Sequence, residues 1–526
     1  MKKIISLICV LLCIVPMLLM AQGSGEQATS AKAEGPVTIT FWYNPAIVEA
    51  GSPPKDWFVY DIIRNELNID LQLSPLPSSA EDRDSKMNVA GAANNLPDMM
   101  SISRPVMVNL VKQGLLAPVD DMFDMMPGRT TKMYNQDSKI YATIDNRCYG
   151  FTASSGDITK NEGILIRKDW LDKLGLDIPV TLDDYMEVMK AFTFQDPDGN
   201  GKNDTYGYGT FIEITAREEG LGRRLNPFFG AFGVAGTWNL SKENPGLNLR
   251  KPEYYQAMKY IKQMVDEGVM DPNWLTYKKD DWKAAWKQGK FGIMREQHAS
   301  YAAESNYAPF DKNFPNGEWI VIDPPVGPEG KSSVGVYTTV NSGVIAVSAR
   351  AAKEGKKEAI ARLLEWMSGD GYYAIGWGQE GVNFLLDEDG VPTVKGLPDP
   401  SKGFTKAEMQ PLLQLKGLAF YWGDAELKSR YPSYVTAISK KPMSSLAVLR
   451  EMQSKPWDKQ DGVDLLPLPN SDIKRFYEQS LVEFIRGNKP LNEETWAKFI
   501  TDFDAMGGKA WEEAGIKAAT ELGILQ

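Results

Sequence analysis

From Asp196 to Thr205 the sequence reads DPDGNGKNDT, and side chains that carry oxygen recur at almost every second residue. Asp196, Asp198, Asn200, Lys202 and Asp204 fall at positions 1, 3, 5, 7 and 9 of an EF-hand-type calcium loop. Gly201 takes position 6, where the backbone must turn sharply. A hard cation needs six to eight oxygens, and this spacing folds side-chain donors and the Lys202 carbonyl around one point. Position 12 departs from the pattern, because it is Gly207 and not a bidentate glutamate. The loop must then close otherwise, through a second Asp204 oxygen, Thr205 or water, and the expected role of Ca2+ is a structural clamp and not a sensor. The alternative is an Asx/Gly-rich turn that holds no metal.

The elements that must position this loop are legible around it. Gly163 to Ile166 is a short apolar run ending at Arg167, enough for one buried strand. Trp170, Leu171 and Leu174 share a helix face, and Gly175 supplies the stop. Thr181 followed by Asp184 is a capping box that opens a second helix, which runs into the loop. Tyr206 to Ile212 after the loop is strand-like.

Motifs for catalysis are missing. The sequence holds no HExxH, no GxSxG and no GxGxxG after a strand. The GKS at Gly330 to Ser332 is no phosphate loop, because Pro325 stands where the first glycine must be. His298, the only histidine, has no neighbour at ligand spacing and reads as an ordinary polar residue. A glycoside hydrolase needs only two suitably spaced carboxylates, so 69 acidic residues leave that class open. Three arginines, Arg104, Arg167 and Arg295, are candidates to meet a ligand carboxylate, and each could equally be structural.

At 526 residues the chain is too long for one hydrophobic core and suits two domains. Its formal net charge of −11 argues against nucleic acid or an anionic membrane surface as a partner. Lys2 and Lys3 precede an apolar run from Ile4 to Met20 and then a polar, Gly/Ser-rich stretch, which reads as a signal peptide over 1–21 and a flexible linker over 22–35. Cys13 follows Leu11 and Leu12, not the small residues that precede a lipidated cysteine, so a periplasmic or extracellular protein without a lipid anchor is expected. Once Cys9 and Cys13 leave with the signal, Cys148 has no disulfide partner and reads as a small buried residue.

Val37, Ile39 and Phe41 alternate with polar residues as a strand does, and strand–helix alternation continues through a third helix at Val106 to Gln113. A parallel sheet follows, whose ligands sit beyond the carboxyl ends of its strands. Trp42, Tyr43 and Asn44 after the first strand, and Arg104 after the third, are delivered to that edge. Aromatic faces suit pyranose rings, while arginine and asparagine donate to hydroxyls or carboxylates. Core packing is the competing use of the aromatics.

The block GILIRKDWLDKLGL, the capped helix and DPDGNGKND together resemble the extracellular solute-binding proteins of ABC sugar importers. The resemblance is strongest to their large oligosaccharide-binding branch, with its lipoprotein-like and alginate-oligosaccharide-binding members. It implies an α/β fold of two lobes, each a sheet flanked by helices, joined by hinge crossings. Residues 36–154 plus 338–400 would form lobe 1, and 155–337 plus 401–526 lobe 2 with the calcium loop over 196–207. It also implies cleft positions for Tyr149, Ser154, Trp238, Arg295, Trp377, Tyr421 and Trp422. The function it implies is capture of an oligosaccharide by hinge closure, without catalysis, for an importer's transmembrane subunits, by a monomer. The alternatives are a secreted glycoside hydrolase, which would release products, and a structural surface protein, which would bind no ligand saturably.

Overall fold

The computed structural model describes residues 35–47, 50–77, 79–155, 160–214, 218–337, 340, 343–457 and 465–525. The expected signal and linker lie outside them apart from Gly35, as do 156–159, 338–339 and 341–342 within the expected crossings.

The first strand, β1 (Val37–Tyr43), buries Ile39, Phe41 and Tyr43 on one face, as the alternation requires. It is followed by α1 (Phe58–Leu67), β2 (Ile69–Pro75), α2 (Ala80–Ala92), β3 (Met99–Ser103) and α3 (Arg104–Lys112). The Ser103 hydroxyl accepts the Val106 N–H and Pro105 occupies the first turn, so α3 starts directly at the strand end. β2 and β3 flank β1 in parallel, with Val37 opposite Ile69 and Phe41 opposite Met99.

The chain then builds a second sheet. β4 (Glu162–Arg167) is followed by α4 (Lys168–Leu174), α5 (Leu182–Phe194) and β5 (Tyr206–Gly209). Gly175 ends α4 at φ 69°, and Thr181 with Asp184 forms the expected capping box of α5. After α6 (Pro252–Asp266) come β6 (Phe291–Gln297) and β7 (Trp319–Ile322), giving the order β7-β4-β6-β5. All six residues of β4 are buried, because helices or loops cover both faces of this central strand.

β8 (Gly343–Val347) returns to the first sheet, antiparallel to β3, so that its order is β8-β3-β1-β2. α7 (Lys357–Ser368) and α8 (Tyr372–Trp377) pack on that lobe, α9 (Asp424–Arg430) follows, and α10 (Ser471–Arg486), α11 (Glu493–Ala505) and α12 (Gly508–Glu521) pack on the second. Each sheet owns one large apolar cluster, which makes two lobes.

The boundary expected at residue 401 is corrected. Phe404, Leu412, Leu415, Leu418 and Ala419 pack into the first core, so lobe 1 continues past 400. The chain reaches lobe 2 with Tyr431, whose ring meets the His298 ring edge-on at 4.8 Å, and Tyr434, whose hydroxyl donates to the Ala302 carbonyl at 3.0 Å. Apolar residues inside 401–421, spaced without helical or strand period, gave no sign of which core would take them. Cys148 is buried and free, as expected. Among the described residues no helix is long and apolar enough to cross a membrane.

Candidate functional site

A cavity of about 590 Å3 opens at the carboxyl edge of the first sheet. Tyr43 and Asn44 line it from the end of β1, Ser103 and Arg104 from the β3–α3 junction, and Arg83 and Asp84 from α2. The opposite wall holds Arg129, Tyr134, Phe151 and Gln414. Short strand-to-helix connections put these side chains at one edge, the place where parallel sheets receive ligands.

Three of the predicted site residues, Tyr43, Asn44 and Arg104, meet in this cavity. Trp42 does not line it. It alternates with Phe41 and Tyr43 onto the other face of β1, where the Lys86 ammonium lies 4.6 Å from its ring centroid. Tyr149 is half-buried against the first core, with its N–H donated to the Ala142 carbonyl at 2.9 Å. Ser154 donates its N–H to Met133 and bridges Val340, while its neighbour Ala153 takes the place in the cavity wall.

Trp238, Trp377 and Arg295 are corrected outright. Trp238 is only 2% exposed and packs edge-on against Trp511 in the second core. Trp377 is also 2% exposed, packed edge-on to Tyr372 and tilted against Phe420, with its indole N–H given to Ser429 at 2.9 Å. Arg295 is buried and its charge is met by Glu162 at 3.1 Å and Glu218 at 3.6 Å. Arg167, the third arginine candidate, is buried against Trp170 and held by Asp169 at 2.7 Å. The cores took these large side chains: burying an aromatic ring is favourable, and a buried guanidinium is tolerated there because carboxylates pair with it.

Tyr421 and Trp422 are half-buried just past the short helix Lys416–Ala419, whose Gly417 and Leu418 line the cavity. Lys132 stands over the Tyr421 ring and Arg430 over the Trp422 ring, at 5.2 and 4.4 Å from the centroids.

Arg83, Asp84, Arg129 and Gln414 were not anticipated. Arg129 is 3% exposed, with Nε donating to the Tyr134 hydroxyl at 2.6 Å and Nη1 to the carbonyls of Leu364 and Leu418. Gln414 accepts from the Ile47 N–H at 3.1 Å and donates to the Ile47 carbonyl at 2.8 Å, tying the loop after β1 to the late segment. His298 is buried beside the Ser445 carbonyl, and burial pulls its pKa down to about 4, so it stays neutral and takes no part in the cavity.

In the 196–205 loop, Asp198 Oδ2 and both Asp204 oxygens gather 2.8 to 3.4 Å around the Asn200 side-chain amide nitrogen. Asp196 accepts the N–H groups of Asn200 and Gly201. Among the described residues no group of three or more His, Cys, Asp or Glu is assembled as a metal cage. The donor types suit a hard cation, and the Asn200 amide occupies the point on which the carboxylates converge. One of the expected closing ligands, Thr205, is otherwise engaged, and position 12 is closed to a side chain. The Thr205 hydroxyl donates to the Phe192 carbonyl at 2.8 Å from a buried position, and a Cβ on Gly207 would stand 2.4 Å from Met189 Cα, so α5 leaves no room for a side chain at position 12. Lys202 is exposed.

The sequence matches the family model described as bacterial extracellular solute-binding protein over residues 65–381. A polygalacturonan/rhamnogalacturonan-binding protein of Bacillus subtilis, YtcQ, is 28% identical over 71% of this chain and 72% of its own length. The substrate-binding protein FusA of a fructooligosaccharide ABC transporter from Streptococcus pneumoniae is 27% identical over 47% of this chain and 46% of its own. Lipoprotein LipO of Bacillus subtilis is 32% identical, again over less than half of each chain, at 44% and 45%. Among solved structures, an HMO-binding ABC-transporter-associated solute-binding protein from Bifidobacterium longum infantis superposes with a TM-score of 0.69 at 18% identity, over 94% of this chain and 100% of that one. FusA in complex with kestose gives 0.61 at 18% identity, over 92% and 99%. The two lobes, the cavity at a parallel sheet edge and a family match over most of the chain agree: this chain belongs to the bacterial extracellular solute-binding proteins.

Proposed function

We propose that this protein is the extracytoplasmic substrate-binding component of an ABC carbohydrate importer and captures an oligosaccharide in the cavity of its first lobe. The observation that carries the reading is that cavity, about 590 Å3 and lined by both aromatic rings and hydrogen-bond donors. Relatives named for polygalacturonan/rhamnogalacturonan and for fructooligosaccharide support the ligand class. A ligand held on lobe 1 that also touches lobe 2 favours the closed arrangement by its differential contacts, and delivery to the importer's transmembrane subunits follows from closure. We read the protein as an exported monomer without lipid anchor, on the residues before Cys13, and without catalytic activity.

A thermal-shift panel of oligosaccharides tests the reading. A ligand at about 100 times its dissociation constant should add roughly 2.7 kcal/mol of stability. Chromatography of the incubated mixture should return the sugar intact; shortened products would replace a binder with a glycoside hydrolase, and no shift with any sugar would leave a structural protein.

For the 196–205 loop we infer a structural calcium site, supported by the donor spacing and by the carboxylates that converge on Asn200. Asp196, Asp198, Asn200, Asp204 and the Lys202 carbonyl would hold the ion, whose charge would offset the repulsion among the three carboxylates.

A further inference from the structure

Arg104 is the first residue of α3, and it enters the cavity with part of its guanidinium already fixed. Nε donates to the Tyr141 carbonyl at 2.9 Å, and the guanidinium carbon lies 5.9 Å from the Tyr141 ring centroid. The two terminal nitrogens have no hydrogen-bond partner among the described residues. Among the described residues no carboxylate lies within ion-pair distance of Arg104, and burial lowers its pKa against the opposing influence of the Tyr141 phenol. Four other arginines with restricted exposure pair with carboxylates, Arg167 with Asp169, Arg224 with Glu213, Arg250 with Asp504 and Arg295 with Glu162, while Arg129 turns its guanidinium to the Tyr134 hydroxyl and two backbone carbonyls. Removing a charge from water without a counter-ion costs free energy, so this arginine stands out in a chain whose formal net charge is −11. Among the described residues the surrounding lining repeats the sign, with Arg83 and Arg129 against a single acid, Asp84.

We propose that the free edge of Arg104 receives a carboxylate of the ligand, so that the captured oligosaccharide is acidic and built on uronic acid units. The inference rests on the cavity being the oligosaccharide site. A guanidinium whose Nε is already anchored presents its Nη groups in a fixed plane, which suits a carboxylate fork and not a single hydroxyl.

Calorimetry on the whole protein with galacturonic and mannuronic acid trisaccharides, each against its methyl ester, tests it. At least one acid should bind roughly tenfold or more tighter than its ester, with an advantage that shrinks as salt is raised. Arg104→Gln should lose about 10- to 100-fold on the acid and little on the ester, since a lost charge-assisted bond touches only the charged ligand. Arg104→Lys, which keeps the charge without the fork, should retain part of the preference and serves if the glutamine variant does not fold. Equal binding of acid and ester by the wild type, equal losses on both in the variant, or binding confined to neutral sugars would each overturn the inference while the oligosaccharide reading stands. A protein that binds neither acidic nor neutral oligosaccharides overturns both.

Discussion

The Glu426 carboxylate accepts the backbone N–H of Trp422 at 2.8 Å while Trp422 sits at φ +66°, a conformation that a bulky residue rarely adopts. The same oxygen takes the Tyr421 N–H at 3.0 Å, and the other oxygen meets Arg430 at 2.8 Å. The Arg430 guanidinium in turn stacks on the Trp422 ring. One buried acid therefore fixes the strained turn and, through Arg430, the plane of the indole. Glu426→Ala should cost about 1–3 kcal/mol of stability by leaving two amides and Arg430 unmatched. If Trp422 serves the sugar, Glu426→Ala and Trp422→Ala should each weaken binding roughly tenfold, and the double variant should lose little more than either. Fully additive losses in calorimetry would show that the two residues do not act as a unit.

What the sequence made legible was local. Strand alternation placed β1, and the Thr181–Asp184 box placed α5, because each signal is contained within a few residues. Tyr43, Asn44 and Arg104 could be placed at the sheet edge for the same reason: they follow directly from where β1 and β3 end. The alternation that placed β1 also puts Trp42 opposite Phe41 and Tyr43, a signal that was present and went unused. Trp238 and Trp377 could not be sorted by type, since an aromatic side chain suits a core as well as a sugar. Arg129 bonded to the Leu418 carbonyl, and Gln414 to Ile47, are contacts across hundreds of residues that no local pattern encodes.

Stability should fall as pH rises through neutrality, because of Glu219. It is 7% exposed, its Oε2 has no hydrogen-bond partner among the described residues, and burial pushes its pKa from 4.5 up to about 8. Lys474 opposes that rise and Glu478 adds to it. Between about 4.5 and 8 the unfolded chain has given up this proton while the folded one keeps it, so the folded state binds more protons and loses stability with pH, at up to about 1.4 kcal/mol per unit. Melting temperatures taken from pH 5 to 8.5 should therefore decline in the wild type and flatten in Glu219→Gln. Parallel curves for the two proteins would remove Glu219 as the cause.

Restoring the missing glutamate at position 12 should damage the protein. A Cβ at residue 207 would meet Met189 Cα at 2.4 Å and its carbonyl oxygen at 2.5 Å, backbone that cannot move without shifting α5. Gly207→Glu should thus cost about 1–3 kcal/mol or more through overpacking, with no gain in calcium affinity. A variant that melts higher in calcium than the wild type would mean that the strand can move away from the helix.

The calcium assignment makes opposite predictions with and without the ion. Burial, together with the charges of Asp204 and Asp196, raises the Asp198 pKa, so in the free loop its carboxyl resists ionisation. A raised folded value means a contribution to stability that is present below the unfolded pKa and fades as pH rises through the folded one. In excess chelator, then, the Asp198 contribution should weaken with rising pH in the acid range. Calcium requires the ionised carboxylate, so in its presence the dependence should reverse, with stability growing as Asp198 ionises. Asp198→Ala should abolish both the chelator effect and the reversal. Oligosaccharide affinity should change little, because Asp198 belongs to the connection from α5 to β5 in lobe 2 while the cavity lies in lobe 1. Melting curves that ignore both chelator and calcium at every pH would reduce the loop to an Asx-rich turn held by Asn200.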